Sequence, residues 1–245
     1  MFPSCTAILL AAGKGSRMGG PVPKQYLPLH GRPLAAWSLR ALAASSCITD
    51  IVMVIPEGDE DYVRNTVIPA AGEEARGKVR SLVPGGAERY LSVWNGLRAI
   101  TWDCAYVAIH DGARPLIDET SIQRLYDAVR DPANGGTAVA GMPSKDTVKI
   151  TNAGAFVENT PDRSRVWIIQ TPQVFERELI TTAYEKMTES LSALTAAGVN
   201  ITDDAMLVET LCHRRVRLIE ASYRNIKVTT PEDIPFAESI LQAEQ

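Results

Sequence analysis

Residues 7–26, "AILLAAGKGSRMGGPVPKQY", pass from an apolar run into a loop that contains four glycines. A short apolar run that ends at glycines is typical of a buried strand. Successive backbone N–H groups in such a loop can form a concavity that binds anions, and Lys14, Arg17 and Lys24 add positive charge to it. The stretch therefore predicts a buried strand followed by a phosphate-binding loop, with a simple turn as the alternative.

Two common phosphate-binding motifs do not fit this loop. A dinucleotide fingerprint that starts at Gly13 and Gly15 would need its third glycine at Met18. A P-loop that uses Gly15 and Gly20 would place Pro21 where the phosphate-binding lysine belongs. The loop is therefore expected to bind phosphate through its backbone and its nearby cations rather than through either motif.

The global composition excludes some classes of protein. The chain of 245 residues carries 25 Lys and Arg against 29 Asp and Glu, a formal net charge of −4, which does not indicate nucleic-acid binding. Cysteines at positions 5, 47, 104 and 212 show no metal-ligand spacing, which favours reduced thiols and a cytoplasmic location. Since the first apolar run stops at the glycine loop, neither a signal peptide nor a membrane span is expected.

Short apolar runs alternate with amphipathic segments along most of the chain, which favours parallel βαβ units. Strands are predicted at residues 6–11, 50–55, 79–83, 105–109, 137–141 and 216–220. Helices are predicted near residues 34–42 and 91–98, and a third helix after Asp118. The expected fold is α/β, a single Rossmann-like domain over residues 1–245 with a mostly parallel twisted sheet.

The region around residues 143–166 interrupts this alternation. Val148 and Ile150 precede the turn-forming residues 152–154, and Phe156 and Val157 follow them, which predicts a β-hairpin. The segment is too poor in apolar residues to form a domain, so it is expected to project from the sheet as an arm. Exposed apolar side chains on an arm favour a partner surface, and we expect a homodimer.

Ligands of open α/β sheets bind beyond the carboxyl ends of the strands. Besides the opening loop, the predicted strand ends there carry Gly85 and Gly86 with Ser92, His110 and Asp111 with Arg114, and Lys227. Asp111 is expected to bind a metal or a ribose, and Lys227 is expected in an apolar strand. Thr230, which precedes Pro231, is predicted to be the N-cap of the last helix.

The candidate site is rich in cations and poor in general bases. The histidines form no H-x-x-H pattern, and no G-x-S-x-G motif is found, so zinc chemistry and a serine nucleophile are disfavoured. A phosphate monoester is largely a dianion at neutral pH and needs no base to act as a nucleophile. The residues therefore favour nucleotidyl transfer onto a phosphate, with pyrophosphate leaving and Mg²⁺ assisting.

Seven segments carry a specific resemblance: "LAAGKGSRMGGPVPKQYLPLHGRPL", "GGAERYLSVWNGL", "HDGARPLI", "DTVK", "DRSRVWIIQTPQVF", "TDDAMLVE" and "NIKVTTPEDI". In this order, from about residue 6 to residue 237, they resemble the 2-C-methyl-D-erythritol 4-phosphate cytidylyltransferase family. The resemblance implies a nucleotidyltransferase fold and transfer of CMP from CTP to that polyol phosphate, in non-mevalonate isoprenoid synthesis. It also implies Mg²⁺ or another divalent cation as cofactor.

The same resemblance implies roles for individual residues. The nucleotide side would be formed by Ala11, Ala12, Gly13, Gly15, Gly86, Ser92 and Asp111, and the polyol phosphate side by Asp111, Arg114, Thr147, Arg163, Thr171 and Lys227. Arg17, Lys24 and Lys227 would be the catalytic cations, and Lys24 would stabilise the pentacovalent transition state. Any metal would be held mostly by CTP phosphates, with Asp111 as a protein ligand. The arm would cross to the partner subunit, so that Arg163 completes the neighbour's site.

Two alternatives are kept open. Ribitol-5-phosphate cytidylyltransferase shares the loop and several motifs, although Trp167 after Asp162 and Arg163 resembles the erythritol enzyme more closely. A CTP-binding sensor without turnover is the alternative from another class. Two positions depart from the family pattern. Leu91 stands where many members carry an acid directly before the serine that matches Ser92, and Arg224 stands where some members carry an acid just before the N-I-K triplet.

Overall fold

The computed structural model describes residues 3–13, 15, 18–19 and 22–243. Its strands in this part of the chain are β1 (Cys5–Leu10), β2 (Pro28–Leu29), β3 (Arg32–Pro33), β4 (Ile48–Ile55), β5 (Val79–Pro84), β6 (Tyr106–Asp111), β7 (Thr137–Pro143), β8 (Ile150–Thr151), β9 (Val157–Asn159), β10 (Trp167–Glu176) and β11 (Leu218–Glu220). The main sheet has the order β11-β7-β10-β6-β1-β4-β5. Strands β2 and β3 form one small sheet, and β8 and β9 form another.

The α-helices are α1 (Leu34–Ala44), α2 (Glu60–Tyr62), α3 (Ile68–Ala71), α4 (Glu73–Lys78), α5 (Arg89–Arg98), α6 (Glu119–Arg130), α7 (Arg177–Ala196), α8 (Asp204–Cys212) and α9 (Asp233–Gln242). A π-helical turn, Val63–Val67, joins α2 to α3, and short 3-10 helices cover Lys24–Tyr26, Pro132–Asn134 and Arg163–Arg165. Among the described residues, no helix combines the length and the apolar character needed to cross a membrane.

The main sheet is parallel except for β10, which runs antiparallel to both β6 and β7. Successive side chains of a strand point to opposite faces, so β1 serves two cores. Ala7 and Leu9 face a core that includes residues of α1 and α6, whereas Ile8 faces residues of α5 and α7. Burial on both faces explains the continuous apolar run in the sequence and confirms the α/β fold with a mostly parallel sheet.

All six predicted strands are present, and each end lies within two residues of its predicted position. One central strand was not predicted: β10 lies between β6 and β7 and contains Pro172. Proline cannot donate to a sheet ladder, and the pairing of β10 with β7 is irregular between Ile169 and Gln173, on either side of this proline. The sequence pattern of a central strand is therefore broken in the middle.

The predicted third helix is confirmed as α6, which begins after Asp118, whose carboxylate accepts a hydrogen bond from the Ser121 N–H at 2.7 Å. The prediction of Thr230 as an N-cap is wrong. Helix α9 begins at Asp233, and its carboxylate reaches back to accept from the N–H groups of Thr229 at 2.7 Å and Thr230 at 2.9 Å. An N-cap hydroxyl would instead accept from N–H groups inside the first turn, so the Asp233 carboxylate makes hydrogen bonds different from those that the predicted cap would make.

The hairpin predicted near residues 143–166 is confirmed by β8 and β9, which pair antiparallel. The carboxamide oxygen of Asn152 accepts from the N–H groups of Gly154 at 3.0 Å and Phe156 at 3.2 Å, which closes the turn. Strand β7 leads into this segment and β10 leads out of it, so the arm extends from two neighbouring strands of the main sheet. Phe156 is 75% exposed and Val157 is 56% exposed.

The register of the sheet gathers several carboxyl ends at one edge. Leu10 of β1 lies opposite Asp111 of β6 on one side and Val54 of β4 on the other. Strand β5 ends beside β4 and is followed by Gly85, where an added Cβ would lie only 2.3 Å from the Ala12 Cβ. Glycine at this position therefore allows the loop after β5 to approach the loop after β1.

Candidate active site

A cavity of about 240 Å³ opens at this edge of the sheet. Its described lining includes six of the residues expected on the nucleotide side: Ala11, Ala12, Gly13, Gly86, Ser92 and Asp111. Lys24 and Lys227 line the same cavity. The structure thus brings together residues from the loops after β1, β5 and β6 and from the irregular segment before α9.

Gly15 and Arg17 are the other residues that were expected in the opening loop. Gly15 has a φ of +59° and packs against Lys24, because an added Cβ would lie 2.6 Å from the Lys24 Cβ; it is not among the described residues that line the cavity. A side chain at Gly15 would be strained and would displace Lys24. Arg17, predicted to be catalytic, lies outside the described residues.

A second cavity of about 260 Å³ adjoins the first. The two share Arg89, Asp111 and Lys227, and the second adds Arg114 and Thr171 from the expected polyol phosphate side. Two other residues expected on that side, Thr147 and Arg163, are not among its described lining. Both belong to the arm, where the Arg163 guanidinium donates to the Lys145 carbonyl at 3.3 Å.

Asp111 lies where the two cavities meet and is paired with two cations. Its Oδ2 lies 2.7 Å from the Lys227 Nζ, and its Oδ1 accepts from the Arg89 Nε at 3.1 Å. Burial alone would raise the pKa of Asp111, but Arg89, Lys227 and Arg114 hold the pKa well below its usual range. The carboxylate is therefore charged in the absence of any ligand.

Lys227 reaches Asp111 from an irregular segment, not from the strand in which it was predicted. The segment is held in place because the Val228 N–H donates to the Ala113 carbonyl at 2.8 Å. The buried Asn225 also donates from its side chain to the Thr171 carbonyl at 2.9 Å. These contacts tie the segment to the loop after β6 and to β10, and the Lys227 side chain remains 39% exposed.

Arg89 was missed by the sequence analysis, which quoted it within a motif but gave it no role. It is the first residue of α5, and its guanidinium also donates two hydrogen bonds to Asp204, at 3.0 and 2.9 Å. Burial acts to lower the pKa of Arg89, but Asp204 and Asp111 raise it well above its ordinary value. A cation at a helix N-terminus opposes the helix dipole, and this is the local signal that could have indicated a carboxylate partner.

His110 is fully buried and orders the neighbouring polar groups. Burial lowers the pKa of His110 to about 4, so the ring is neutral near pH 7. The Arg114 carbonyl, 3.2 Å from Nε2, can only accept, so Nε2 carries the proton. Nδ1 then accepts from the Thr171 hydroxyl at 3.1 Å, and that hydroxyl oxygen accepts from the Asp111 N–H at 3.0 Å.

Arg114 is held by backbone carbonyls, since it donates to Asn225 at 2.8 Å and to Ile169 at 3.4 Å. It is 9% exposed, and its Nε has no hydrogen-bond partner among the described residues. A buried guanidinium with a spare donor beside a cavity is suited to an anionic ligand.

Ser92 closes the loop that follows β5. Its hydroxyl accepts from the Gly86 N–H at 3.0 Å and donates to the Glu88 carbonyl at 3.2 Å. Leu91, which departs from the family pattern, packs against this loop, because a Cβ added at Gly86 would lie 2.4 Å from the Leu91 Cβ. An apolar contact thus stands where the pattern has an acid.

No group of three or more His, Cys, Asp or Glu side chains suited to a metal occurs among the described residues. Asp111 is the carboxylate at the junction of the cavities, and its oxygens retain lone pairs beyond the two that accept from Arg89 and Lys227. Mg²⁺ in phosphoryl-transfer sites is commonly bound by one or two carboxylates together with substrate phosphates. The donor set therefore fits a metal that arrives with a nucleotide.

Comparisons with known proteins give a consistent result. The sequence profile of the family described as "IspD: 2-C-methyl-D-erythritol 4-phosphate cytidylyltransferase" matches residues 5–243. The chain is 43% identical over 240 residues to the 2-C-methyl-D-erythritol 4-phosphate cytidylyltransferase of Lachnoclostridium phytofermentans, covering 98% of this chain and 97% of that protein. It is also 43% identical to the enzyme of the same name from Pelotomaculum thermopropionicum, covering 98% and 94%.

A solved structure supports the same likeness. The 4-diphosphocytidyl-2C-methyl-D-erythritol synthase of Anaerococcus prevotii superposes with a TM-score of 0.80 at 33% identity, covering 98% of this chain and 99% of the other. The sequence and the fold are thus similar to the same group of proteins over nearly their whole length.

Proposed function

This chain belongs to the 2-C-methyl-D-erythritol 4-phosphate cytidylyltransferase family, and we propose that its two adjoining cavities bind CTP and the polyol phosphate on either side of Asp111. The enzyme transfers CMP from CTP to 2-C-methyl-D-erythritol 4-phosphate. The products are 4-diphosphocytidyl-2-C-methyl-D-erythritol and pyrophosphate, in isoprenoid biosynthesis.

One observation carries the assignment of the cavities: they share Arg89, Asp111 and Lys227. Two phosphates that react with each other must approach closely, and their repulsion must be neutralised by fixed cations. The first cavity adds Lys24 and glycine backbone to this junction, and the second adds Arg114. The first cavity, which is lined by more of the loop backbone, would therefore receive the triphosphate.

In the reaction, a phosphate oxygen of the polyol attacks the α-phosphorus of CTP, and the bond from that phosphorus to the β-phosphate bridging oxygen breaks. The nucleophile is already largely a dianion at neutral pH, so no side chain has to remove a proton. Lys24 stabilises the charge that develops on the α-phosphate, and Arg17 binds the phosphates beside it. Arg114 and Lys227 hold the acceptor phosphate.

Asp111 keeps Lys227 at the junction before the substrates arrive. With Oδ1 held by Arg89, the carboxylate presents Oδ2 to the Lys227 ammonium. A substrate phosphate then competes with Asp111 for that ammonium. Asp111 would also be the protein ligand of Mg²⁺ or another divalent cation, which would neutralise triphosphate charge when bound.

The arm supports a homodimer with exchanged hairpins. Exposed Ile150, Phe156 and Val157 form an apolar surface on β8, β9 and the turn between them. Arg163 belongs to the arm and is not among the described residues that line its own subunit's cavities, so we propose that Arg163 acts in the partner's site. Thr147, on the same arm, would accompany it. The four unpaired cysteines suit a reducing compartment, and a cytoplasmic location is proposed.

The reaction is tested by following pyrophosphate release from purified protein with CTP and Mg²⁺. One sample receives 2-C-methyl-D-erythritol 4-phosphate and another receives ribitol 5-phosphate. Release with the first acceptor alone is expected. Release with ribitol 5-phosphate alone would overturn the acceptor, and CTP binding without release in either sample would favour a sensor. A Lys24→Ala preparation made in parallel controls for contaminating enzymes.

A further inference from the structure

The carboxylate of Asp204 is buried behind Arg89 and is not part of the described lining of either cavity. Asp204 is the first residue of α8, is 0% exposed, and is not among the described residues that line either cavity. It accepts two hydrogen bonds from Arg89 and one from the hydroxyl of Tyr184 on α7. The N-terminus of α8 also favours a negative charge there. These contacts fix the position of the Asp204 carboxylate.

Arg89 connects Asp204 to Asp111, which lies where the two cavities meet. Its two terminal nitrogens bind Asp204, and its Nε binds Asp111 Oδ1 at 3.1 Å, so one planar group contacts two carboxylates. A lysine ammonium is a point charge and cannot reproduce both contacts in this geometry. The orientation of the Asp111 carboxylate is thus linked through Arg89 to helices on one face of the sheet.

The two cations on Asp111 differ in how firmly they are held. Arg89 is bound by the buried Asp204, whereas the Lys227 side chain is 39% exposed and lines both cavities. When Lys227 turns toward a substrate phosphate, Arg89 keeps Asp111 paired. A buried carboxylate left without a partner would oppose that movement.

We propose that Arg89 is a positioning residue for cytidylyl transfer and that Asp204 fixes Arg89 from outside both cavities. Arg89 holds Asp111 while Lys227 transfers from Asp111 to the acceptor phosphate. The inference rests on the proposed arrangement of the two substrates. It assigns a function to Asp204 although that residue is not among the described residues that line either cavity.

The test uses Asp204→Asn and Arg89→Lys, singly and together. Calorimetric titration with CTP gives the number of intact sites in each preparation, so that kcat is expressed per CTP-binding site. We expect each single variant to lower kcat per site at least tenfold, and the double variant to lose no more than threefold further, because both changes break the same link. A merely structural role would lower the number of sites and leave kcat per site unchanged.

The matched control is Arg80→Lys. This change alters a surface ion pair between Arg80 and Asp50, whose charged groups lie 3.0 Å apart. It is expected to keep the kcat of the unmodified enzyme. If Asp204→Asn does not fold, Arg89→Met combined with Asp204→Asn removes the buried carboxylate together with its cationic partner, and we expect it to fold with a kcat at least tenfold reduced. A kcat per site within threefold of the unmodified enzyme, in Asp204→Asn, Arg89→Lys or this double variant, would overturn the proposal. Failure of the unmodified enzyme to turn over would instead refute the proposed function.

Discussion

The Lys227 ammonium lies 2.7 Å from Asp111 Oδ2, and this ion pair stands where the two cavities meet. In the proposed function, an acceptor phosphate competes with Asp111 for Lys227. We expect Lys227→Met to lower kcat/KM for 2-C-methyl-D-erythritol 4-phosphate about 100-fold, because a charge-assisted hydrogen bond of up to roughly 3 kcal/mol is lost. Initial rates at saturating CTP measure this effect. Lys186→Met, which alters an exposed lysine on α7, is the control, and a loss below fivefold in Lys227→Met would contradict the role.

Lys24 lines the first cavity next to the glycine loop. Lys24→Ala is expected to lower kcat several hundred-fold, since removal of one preorganised donor to a transition-state oxyanion costs about 3 to 4 kcal/mol. Single-turnover rates of pyrophosphate release check this value. Lys186→Ala should turn over normally, and near-normal turnover of Lys24→Ala would exclude it as a catalytic residue.

His110 makes stability depend on pH. Its pKa is lowered by burial to about 4 in the folded protein and returns to 6.5 on unfolding, so the unfolded chain binds more protons between these values. Stability contributed by neutral His110 is therefore complete above pH 6.5 and is lost as the pH falls toward 4. The loss should reach about 3 kcal/mol in the free energy of unfolding.

Urea unfolding at several pH values between 4 and 7 measures this dependence. His110→Asn should show a shallower slope than the unmodified protein, because the group that gains the proton is gone. His213→Asn, which alters an exposed histidine, leaves His110 intact and should keep the full slope. Parallel stability curves for all three proteins would show that His110 does not cause the loss.

The exposed face of the arm is expected to hold the dimer together. Phe156→Asp places a charge on a side chain that is 75% exposed in one subunit, so the folded subunit should tolerate it while the dimer dissociates. Sedimentation velocity at micromolar concentration should show a dimer for the unmodified protein and a monomer for the variant. Phe236→Asp, at a 56% exposed phenylalanine of α9, should remain dimeric. A dimeric Phe156→Asp protein would argue against the arm as the interface.

Arg163 tests whether the arm also completes a site. An inactive Arg163→Ala protein mixed with an inactive Lys24→Ala protein should recover part of the activity, because a hybrid dimer would contain one site with both residues. Arg165→Ala, two residues away in the same 3-10 helix, should be active without mixing. Hybrid dimers that form but show no activity would place Arg163 outside the partner's site.

Local patterns predicted much of the fold because β1 and its parallel neighbours are buried on both faces and therefore appear as apolar runs. Strand β10 was missed because Pro172 interrupts it. Lys227 was predicted to be near the site, but in a strand, because the residues around it are apolar. In the structure these apolar residues pack in an irregular segment against the loop after β6. Thr230 was predicted as the N-cap from the Thr-Pro-Glu-Asp pattern alone, whereas α9 begins at Asp233, whose carboxylate accepts from the N–H groups of Thr229 and Thr230.

Only part of the candidate site could likewise be predicted from the sequence. Residues beside glycine loops and at strand ends could be found from sequence, whereas the Arg89–Asp204 contact spans 115 positions, and no local pattern identifies Asp204 as the partner of Arg89. Its geometry depends on how α5, α7 and α8 pack on one face of the sheet.

The two cavities draw on different parts of the chain. Apart from Lys227, the described lining of the first comes from residues 10–113, whereas much of the second comes from residues 169–173 and 202–203. Under the proposed function, the nucleotide side therefore comes mainly from the first part of the chain, whereas the acceptor side combines Asp111 and Arg114 with residues of the second part. On that proposal, substitutions in residues 169–173 and 202–203 would change the lining of the acceptor cavity and leave the nucleotide loops as they are, so relatives with different acceptors should differ more in these segments than in the nucleotide loops.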